Sequence, residues 1–386
     1  MQGRRSRPRI GISGSYGGMN LGDEAILEGI LTALGPELSS NVTVLSRHPE
    51  DTLARHGVAR AIAPRSMTKN QMRAELEDMD LFILGGGGIL YDAHAETYLR
   101  EVFLAHELGI PVVVYAISAG PLTRDTSRRA VREALDEAKL ITVRDRQAYR
   151  LREDVGVSRE MHLAADPAFL LEPEELSVES LVAEGVELDK VLVGFSVREP
   201  GPAAPDIDPD EYHALLANAA DFIVERYHAE VVFVPMEKAD VQHSHGVVAH
   251  MQNSERAEIL RRRYSPRQVL HLMGRFEFAV GMRLHFLIFA ALRGTPFAAL
   301  PYASKVTGLL EHLQIETPPM ANIGIGQLIA RVDRAWDRRD EIRARIRERV
   351  PELRSRARKT NELLMEVLRR APAEETSTPP PLPSRH

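Results

Sequence analysis

The chain has 386 residues, of which 44% are hydrophobic and 27% charged, and its formal net charge is -6. This length favours two domains, and the acidic balance argues against a protein that coats nucleic acid, which would normally be basic. The chain contains no cysteine, which excludes disulfides, thiolate metal sites and cysteine nucleophiles and fits a reducing compartment. No apolar run approaches the ~20 residues that span a bilayer, and the N-terminus lacks a signal-peptide core. We therefore predict a cytoplasmic protein, although its early arginines could touch an anionic membrane surface.

Short apolar runs alternate with helical stretches, a pattern typical of parallel sheets flanked by helices. The first series predicts strands at residues 9–13, 42–46, 81–84, 112–117, 140–143 and 162–165, with helices at 23–34, 93–108 and 126–138. The second series predicts strands at 191–197, 230–234, 278–281 and 297–300, with helices at 209–227, 284–292 and 305–312. We predict one α/β domain from each series, over residues 8–172 and 190–336, and an acidic linker at 173–189.

Residues 337–370 read as a long, very charged helical region with one narrow apolar stripe. The stripe consists of Ile342, Ile346, Val350, Leu353, Ala357, Leu364 and Val367. We expect this stripe to pack across both domains, and we expect Pro351 to kink the helix or to begin a new one. Residues 371–386 are rich in proline and serine, which predicts a disordered tail.

Four consecutive glycines, residues 85–88, follow the predicted strand 81–84 and precede a predicted helix. Glycine lets the main chain turn sharply and bring N–H groups close to an anion, with the positive end of the next helix behind them. The alternative is a tight turn with no ligand. We favour an anion site that includes Gly86 and Gly87, although no Lys-Ser/Thr follows as in a Walker loop.

A second glycine-rich loop joins the first predicted strand to the first predicted helix. Asn20 or Gly22 could cap that helix, and Asp23 and Glu24 are favourable near its positive end, so we interpret the two acids as structural. The spacing does not match the dinucleotide-binding pattern. Because the loop would face a cleft, it offers Tyr16 and Met19 to a sugar or another acceptor, and we predict that Tyr16 and Asn20 bind substrate.

Cations and one histidine follow several predicted strands. Arg283 and His285 stand where a helix begins after strand 278–281, and they offer a planar fork for an anion and a group that exchanges protons near neutral pH. Lys305 opens another helix, a position that disfavours a cation unless an anion lies nearby. Arg144 and Arg198 also follow strands. Each of these residues alone could be a surface or salt-bridge residue.

The carboxyl ends of parallel strands meet at one edge of a sheet, which is where open α/β sheets bind ligands. The sequence therefore predicts a single site for an anion that undergoes proton-coupled chemistry. We expect no metal: Asp240, His243, His245 and His250 suggest one, but histidines two residues apart face different sides of a helix.

With these elements together, the chain resembles the polysaccharide pyruvyl transferase family, particularly the bacterial cell-wall branch that modifies polymers anchoring surface-layer proteins. The resemblance is carried by residues 17–25 (GGMNLGDEA), 85–90 (GGGGIL), 143–145 (VRD), 166–169 (DPAF), 196–198 (SVR), 281–285 (GMRLH) and 302–306 (YASKV). Before the lysine the family often has an Asp-Pro pair, where this chain has Ala303 and Ser304.

The resemblance implies two facing Rossmann-like domains of the GT-B type that use phosphoenolpyruvate, without a cofactor, to place a pyruvate ketal on a sugar and release phosphate. It implies that Arg144, His285 and Lys305 form the phosphoenolpyruvate site, with His285 the candidate acid/base, and that Arg198 and Arg283 bind anions. The acceptor would be a cell-surface glycan, either free or lipid-linked at the inner membrane face. Two alternatives stay open: a nucleotide-sugar glycosyltransferase, and a non-catalytic sugar-binding protein of the same architecture. The oligomeric state stays open too.

Overall fold

The computed structural model of the protein describes residues 7–199, 208–300, 304–316 and 324–370. Within these ranges, two parallel β-sheets flanked by helices divide the strands between them. The predicted fold class, two facing Rossmann-like domains with a long C-terminal helical region, is confirmed. The predicted tail at 371–386 lies outside the described residues, as do residues 302 and 303 of the last family motif.

The first sheet has the strand order β3-β2-β1-β4-β6-β7-β8, and β5 pairs with β6. Its strands are β1 Ile10–Ser13, β2 Val42–Leu45, β3 Arg60–Ile62, β4 Leu81–Leu84, β5 Gly87–Leu90, β6 Val112–Ala119, β7 Leu140–Val143 and β8 His162–Leu163. All of its pairings are parallel. Every residue of β1, β4, β6 and β7 is buried. Because helices cover both faces of such a sheet, its central strands read as continuous apolar runs.

The helices of the first half are α1 Leu21–Ser39, α2 Pro49–Arg55, α3 Lys69–Leu76, α4 Ala95–Glu107, α5 Asp125–Asp136, α6 Arg146–Tyr149 and α7 Leu151–Asp154. Polar side chains fix several of their starts. Asn20 accepts main-chain hydrogen bonds at the start of α1, and Asp145 does so at the start of α6. Gly35 interrupts α1 with a φ of 73°, just before Pro36, which explains why the apolar pattern predicted a helix end at residue 34.

The second sheet has the order β11-β10-β9-β12-β13, again parallel throughout. Its strands are β9 Val191–Ser196, β10 Ala229–Phe233, β11 Ala257–Ile259, β12 Phe278–Gly281 and β13 Phe297–Ala299. The helices are α8 Val178–Val182, α9 Pro209–Tyr227, α10 Lys238–His250, α11 Pro266–Met273, α12 Leu284–Arg293, α13 Ser304–Leu313, α14 Ile325–Asp337 and α15 Arg339–Arg370.

Three strands were not predicted. β3 and β11 are three-residue strands at the sheet edges, and each is fully buried at only one position, so neither forms an apolar run. β5 begins at Gly87, where the sequence had predicted a turn into a helix. That expectation is wrong, because the chain first adds a strand beside β6 and enters α4 only at Ala95.

The long C-terminal helix α15 packs against both halves, as predicted. Ile346 and Leu353 belong to the core of the second half, whereas Leu364 belongs to the core of the first. The helix continues through Pro351, so no new helix begins there. Within the described residues, no helix is both long and apolar enough to cross a bilayer.

The segment predicted as a linker, residues 173–189, contains α8 and packs closely onto the second half. Leu176, Leu181 and Val186 are buried in the same hydrophobic core as the second sheet. The acidic composition of this segment predicted a linker in spite of these three spaced apolar residues. The limits of the two domains stay predictions.

Candidate active site

The cavity that collects most of the predicted residues lies at the carboxyl ends of the strands. In each sheet the strand order reverses at one point, between β1 and β4 and between β9 and β12. The loops that follow the two strands at such a point run in opposite directions, which leaves a crevice between them at the carboxyl ends of the strands. Loops from both sheets enclose a cavity of about 210 Å³ there, which we call the central cavity. It is lined by Ser15, Gly18, Asn20, Asp23, Arg47, Gly88, Tyr91, Arg144, Met236, Glu237, Arg283, Leu284, His285 and Lys305.

Five residues predicted from sequence line the central cavity: Asn20, Arg144, Arg283, His285 and Lys305. They lie in the loops and first helical turns that follow β1, β7, β12 and β13, so the rule that strand ends meet brings distant residues together. The His285 side chain is 12% exposed, which leaves it within reach of a small ligand. The roles of these residues in substrate binding stay predictions.

The imidazole of His285 is held between two elements of the first half. His285 lies in the first turn of α12, and its Nε2 is 3.4 Å from Oδ2 of Asp166, just after β8. At the ring's other nitrogen, a Cβ placed on Gly22 would lie only 2.0 Å from Nδ1. Glycine at position 22 therefore lets the start of α1 pack directly against the imidazole.

Asp166 joins the histidine to a cation. Its carboxylate forms an ion pair with Arg144 and accepts a hydrogen bond of 3.0 Å from the Ala168 N–H. Burial alone would raise the pKa of Asp166, but Arg144 and His285 outweigh burial and hold that pKa well below its usual range. Asp166 is therefore a carboxylate that can orient the ring of His285. It lies within a quoted family motif, and sequence reasoning gave it no role.

Asp23 lines the central cavity, which corrects its interpretation as a purely structural acid. Burial raises the pKa of Asp23 above the ordinary value, although His285, Ser15 and Lys305 act in the opposite direction. Its neighbour Glu24 is buried and accepts a hydrogen bond of 2.9 Å from the Gly17 N–H, which fits its interpretation as structural. Sequence reasoning missed Asp23 because an acid in the first turn of a helix already has a local explanation.

Arg47 is a further cation of the cavity that sequence reasoning missed. It follows β2 after one intervening residue, so the same strand-end rule could have found it. Its Nη2 lies 3.0 Å from Oγ of Ser15 and 3.1 Å from Oη of Tyr98. These contacts fix the guanidinium at the cavity wall.

Arg283 lines the central cavity, but its charge is already paired with acidic side chains. Its Nε donates to Oδ2 of Asp240 at 3.0 Å, and its Nη2 contacts both Asp240 and Glu237. The guanidinium is thus neutralised by two carboxylates at the start of α10. This arrangement assigns Arg283 to holding α10 in place.

Arg198 is also placed differently from the prediction. It forms an ion pair with Glu199, and its carbonyl oxygen accepts a hydrogen bond of 2.8 Å from the Tyr212 hydroxyl. Arg198 is not among the residues that line the central cavity. Its predicted contact with the substrate is therefore not supported by the geometry.

Tyr16 is fully buried, so the prediction that it contacts an acceptor is wrong. Its ring lies against the main chain at Gly14 and Gly85, where any added Cβ would overlap it. The ring belongs to the core of the first half. The loop therefore turns this side chain into the core.

Gly86 and Gly87 do not form the predicted anion site, since no helix begins behind them. A Cβ at Gly86 would lie 3.0 Å from Ile26, so this glycine permits close packing. Gly87 has a φ of +112°, which L side chains rarely adopt. Gly88 lines the central cavity instead, and a Cβ there would meet nothing within 4 Å.

Among the described residues, one group of carboxylates is close enough to hold a metal ion: Glu199, Glu237 and Asp240. The guanidinium of Arg283 contacts all three, so a positive charge already occupies this cluster. The expectation that the enzyme needs no metal stays a prediction.

Two hydrogen bonds tie the halves together at the cavity. Asn20 Nδ2 donates to Oε2 of Glu237 at 2.9 Å, and the Leu21 N–H donates to the Met236 carbonyl at 2.8 Å. Asn20 also caps α1 through its Oδ1, which accepts from the Gly22 N–H at 2.9 Å. One side chain thus caps a helix, lines the cavity and bridges the sheets.

The fold is similar to that of several solved structures. The structure of S. aureus MnaA with UDP has a TM-score of 0.65 and 10% identity, covering 96% of this chain and 98% of that one. The UDP-GlcNAc 2-epimerase from Neisseria meningitidis has a TM-score of 0.61 and 12% identity, covering 94% and 99%. At such low identity, these likenesses concern the fold alone.

Sequence comparison identifies the family. The amylovoran biosynthesis protein AmsJ of Erwinia amylovora is 21% identical over 398 residues, which cover 89% of this chain and 95% of AmsJ. The sequence model for polysaccharide pyruvyl transferases matches residues 20–304, a range that contains every residue described above as lining the cavity except Ser15, Gly18 and Lys305. The chain therefore belongs to the polysaccharide pyruvyl transferase family.

Proposed function

We propose that this chain transfers the pyruvyl group of phosphoenolpyruvate to two hydroxyls of one sugar in a cell-surface polysaccharide or its lipid-linked precursor. The product is a pyruvate ketal, and phosphate is released. The observation that supports this proposal is that Arg47, Arg144 and Lys305 share the central cavity with the imidazole of His285. Family membership supports the pyruvyl group and the polysaccharide, and the cavity chemistry supports the donor.

Phosphoenolpyruvate carries a carboxylate and a phosphate on three carbons. Guanidinium groups match both anions with paired hydrogen bonds, and an ammonium group matches phosphate as a compact charge. Arg47 and Arg144 supply the first kind of group, and Lys305 supplies the second. A space of about 210 Å³ suits this compact donor with one face of a sugar.

Ketal formation requires two hydroxyl protons to be moved. The first hydroxyl oxygen bonds to C2 of phosphoenolpyruvate while the methylene carbon C3 takes a proton and becomes a methyl group. The second hydroxyl oxygen then bonds to C2 as the bond between C2 and the phosphate oxygen breaks, and its proton leaves with phosphate. Each hydroxyl proton thus has a destination, and no oxidant or reductant is consumed.

His285 is the candidate group for these proton transfers, because it is the imidazole of the central cavity. Asp166 lies beside Nε2 of the ring, and the missing side chain of Gly22 leaves room for the ring on the side of Nδ1, so both are positioning residues. Asp23 keeps a proton more readily than an ordinary aspartate, because burial raises its pKa. It can therefore serve as a second proton carrier. The cavity cations would stabilise the departing phosphate.

The test is a phosphate-release assay with phosphoenolpyruvate and a panel of acceptors containing β-mannosaminides, galactosides and glucosides. We expect His285→Gln to abolish release, because glutamine cannot exchange the proton. His245→Gln, an exposed imidazole on α10, is the matched control and should keep full activity. Wild-type turnover by His285→Gln would refute the assigned role.

Thermal unfolding with and without ligand tests the donor separately. A ligand that binds only the folded state stabilises it by about 2.7 kcal/mol at a hundred times its Kd. We expect phosphoenolpyruvate to raise the Tm and UDP to leave it unchanged. The reverse result would favour a nucleotide-sugar transferase of the same architecture.

A further inference from the structure

A second and larger cavity, of about 840 Å³, lies beside the central cavity. One wall comes from α6 and the residue that follows it and includes Gln147 and Arg150, and another wall comes from α13 and includes Gly308 and Glu311. Residues 119–122, at the end of β6 and just beyond it, close the space from the first half. We call this space the lateral cleft.

The walls of the lateral cleft also supply cations to the central cavity. Arg144 lines the central cavity, and the next residue, Asp145, caps α6 and lines the cleft. Lys305 lies in the first turn of α13, and Gly308 follows three residues later, a rise of about 4.5 Å along the helix. A small cavity of about 30 Å³, lined by Arg144, Asp145, Lys305, Gly308 and His312 among others, shares residues with both spaces. A molecule in the cleft would therefore lie next to the reaction site.

The lateral cleft offers hydrogen-bond donors and acceptors in balance. Arg150 can only donate, Glu311 can only accept when ionised, and the amide of Gln147 does both. The charged residues of its lining are three arginines and three carboxylates, Arg128, Arg146, Arg150, Asp145, Asp154 and Glu311. A polyanion would meet as many like charges as opposite ones. An uncharged polyol suits this lining better, because each hydroxyl both donates and accepts.

We propose that the lateral cleft binds the sugars that flank the one being pyruvylated, so that the enzyme recognises an oligosaccharide and not a single sugar. This inference rests on the proposed function, because it takes the central cavity as the reaction site. The cleft has about four times the volume of the central cavity, which provides room for several sugar units. Its residues Gln147 and Arg150 then determine specificity for acceptor length.

The test compares short and long acceptors with the double variant Gln147→Ala/Arg150→Ala. Arg150 is exposed and Gln147 is only partly buried, so the variant should fold normally. For hexasaccharides of the acceptor panel, we expect the acceptor KM to rise about tenfold, as expected for losing one or two hydrogen bonds. For the matching disaccharides and for phosphoenolpyruvate, we expect KM to stay unchanged.

Arg152→Ala, an exposed arginine of α7 outside the cleft lining, is the matched control and should behave as wild type with every acceptor. An unchanged KM for hexasaccharides in the double variant would overturn the proposal. So would an equal rise in KM for hexasaccharides and disaccharides, because the cleft would then not distinguish acceptor length.

Direct binding of the hexasaccharides, measured by calorimetry without phosphoenolpyruvate, separates this inference from the proposed function. If no acceptor yields phosphate but hexasaccharide binding is weakened about tenfold by the double variant, the glycan site stands and the donor assignment fails. If phosphate is released but no hexasaccharide binds more tightly than its disaccharide, the donor assignment stands and the glycan site is overturned.

Discussion

Replacing Arg283 with methionine tests whether this arginine holds the protein together or binds the substrate. Asp240 is fully buried, and Arg283 contacts both of its carboxylate oxygens. Removing one partner of a buried ion pair costs about 3–5 kcal/mol, because the other charge stays buried without compensation. Asp240 keeps hydrogen bonds from the Met236 and Glu237 N–H groups, which places the expected loss near the lower limit, at about 3 kcal/mol.

Such a loss should lower the Tm by roughly 6–12 °C, at 2–4 °C per kcal/mol for a unit of 150–250 residues. Burial raises the pKa of Asp240, and Arg283 opposes this rise, so the variant raises that pKa further. A folded-state pKa above the unfolded value means that the folded state binds more protons, and stability then falls as pH rises toward the folded-state pKa. Arg283→Met should therefore lose more stability at pH 8 than at pH 5.

The only tryptophan of the chain provides the readout. Trp336 stacks on Tyr227 at 3.9 Å and meets Phe278 edge-on at 5.5 Å, so its fluorescence reports unfolding of the second half. Arg256→Met, which removes a partly exposed ion pair with Glu230, is the control and should cost no more than about 1 kcal/mol.

Adding Asp240→Asn to Arg283→Met should restore most of the lost stability, because the double variant leaves no unpaired charge buried at this position. The reasoning fails if Arg283→Met unfolds like the wild type. It also fails if the double variant is no more stable than the single one. If Arg283→Met keeps wild-type stability but has a raised KM for phosphoenolpyruvate, Arg283 binds the anion as the sequence predicted.

Gly22→Ala should lower kcat about a hundredfold, because the added methyl group displaces the ring of His285, and the same overlap should cost about 1–3 kcal/mol of stability. Gly326→Ala, at the second position of α14 and with open space around it, should leave turnover unchanged; a fully active Gly22→Ala enzyme would contradict the ring placement. Arg47→Ala should raise the KM for phosphoenolpyruvate about tenfold or more through the loss of a charge-assisted hydrogen bond, whereas Arg60→Ala, at an exposed pair on the sheet edge, should not. Steady-state phosphate release measures both, and an unaltered KM in Arg47→Ala would remove this arginine from the donor site.

The strands that could be predicted from the sequence are those whose buried environment requires apolar residues at every position. β4, β7 and β12 are buried along their whole length, so each appears as an apolar run with the predicted limits. β3 and β11 are held by main-chain hydrogen bonds along one edge and need no particular side chains. β5 begins with two glycines, which indicate a turn in any local interpretation.

The part of the site that could be predicted from the sequence is the part that the order of the strands determines. Strand-end positions brought Arg144, His285 and Lys305 together, because the order of a parallel sheet controls where its loops meet. Asp240, which pairs with Arg283, is 43 residues away in the sequence. No local sequence pattern indicates that the two side chains meet. The direction of Tyr16 depends on the packing of the whole first half, which spacing within one loop cannot reveal.

Helix α15 carries Leu353 in one hydrophobic core and Leu364 in the other. A stop codon placed before Arg339 would strip an apolar wall from both sheets at once. Neither half should then survive as an autonomous fragment, even though each has the connectivity of a free-standing Rossmann fold. Insertions in surface loops should therefore be tolerated far more readily than truncations of the gene that remove this helix, which both halves share.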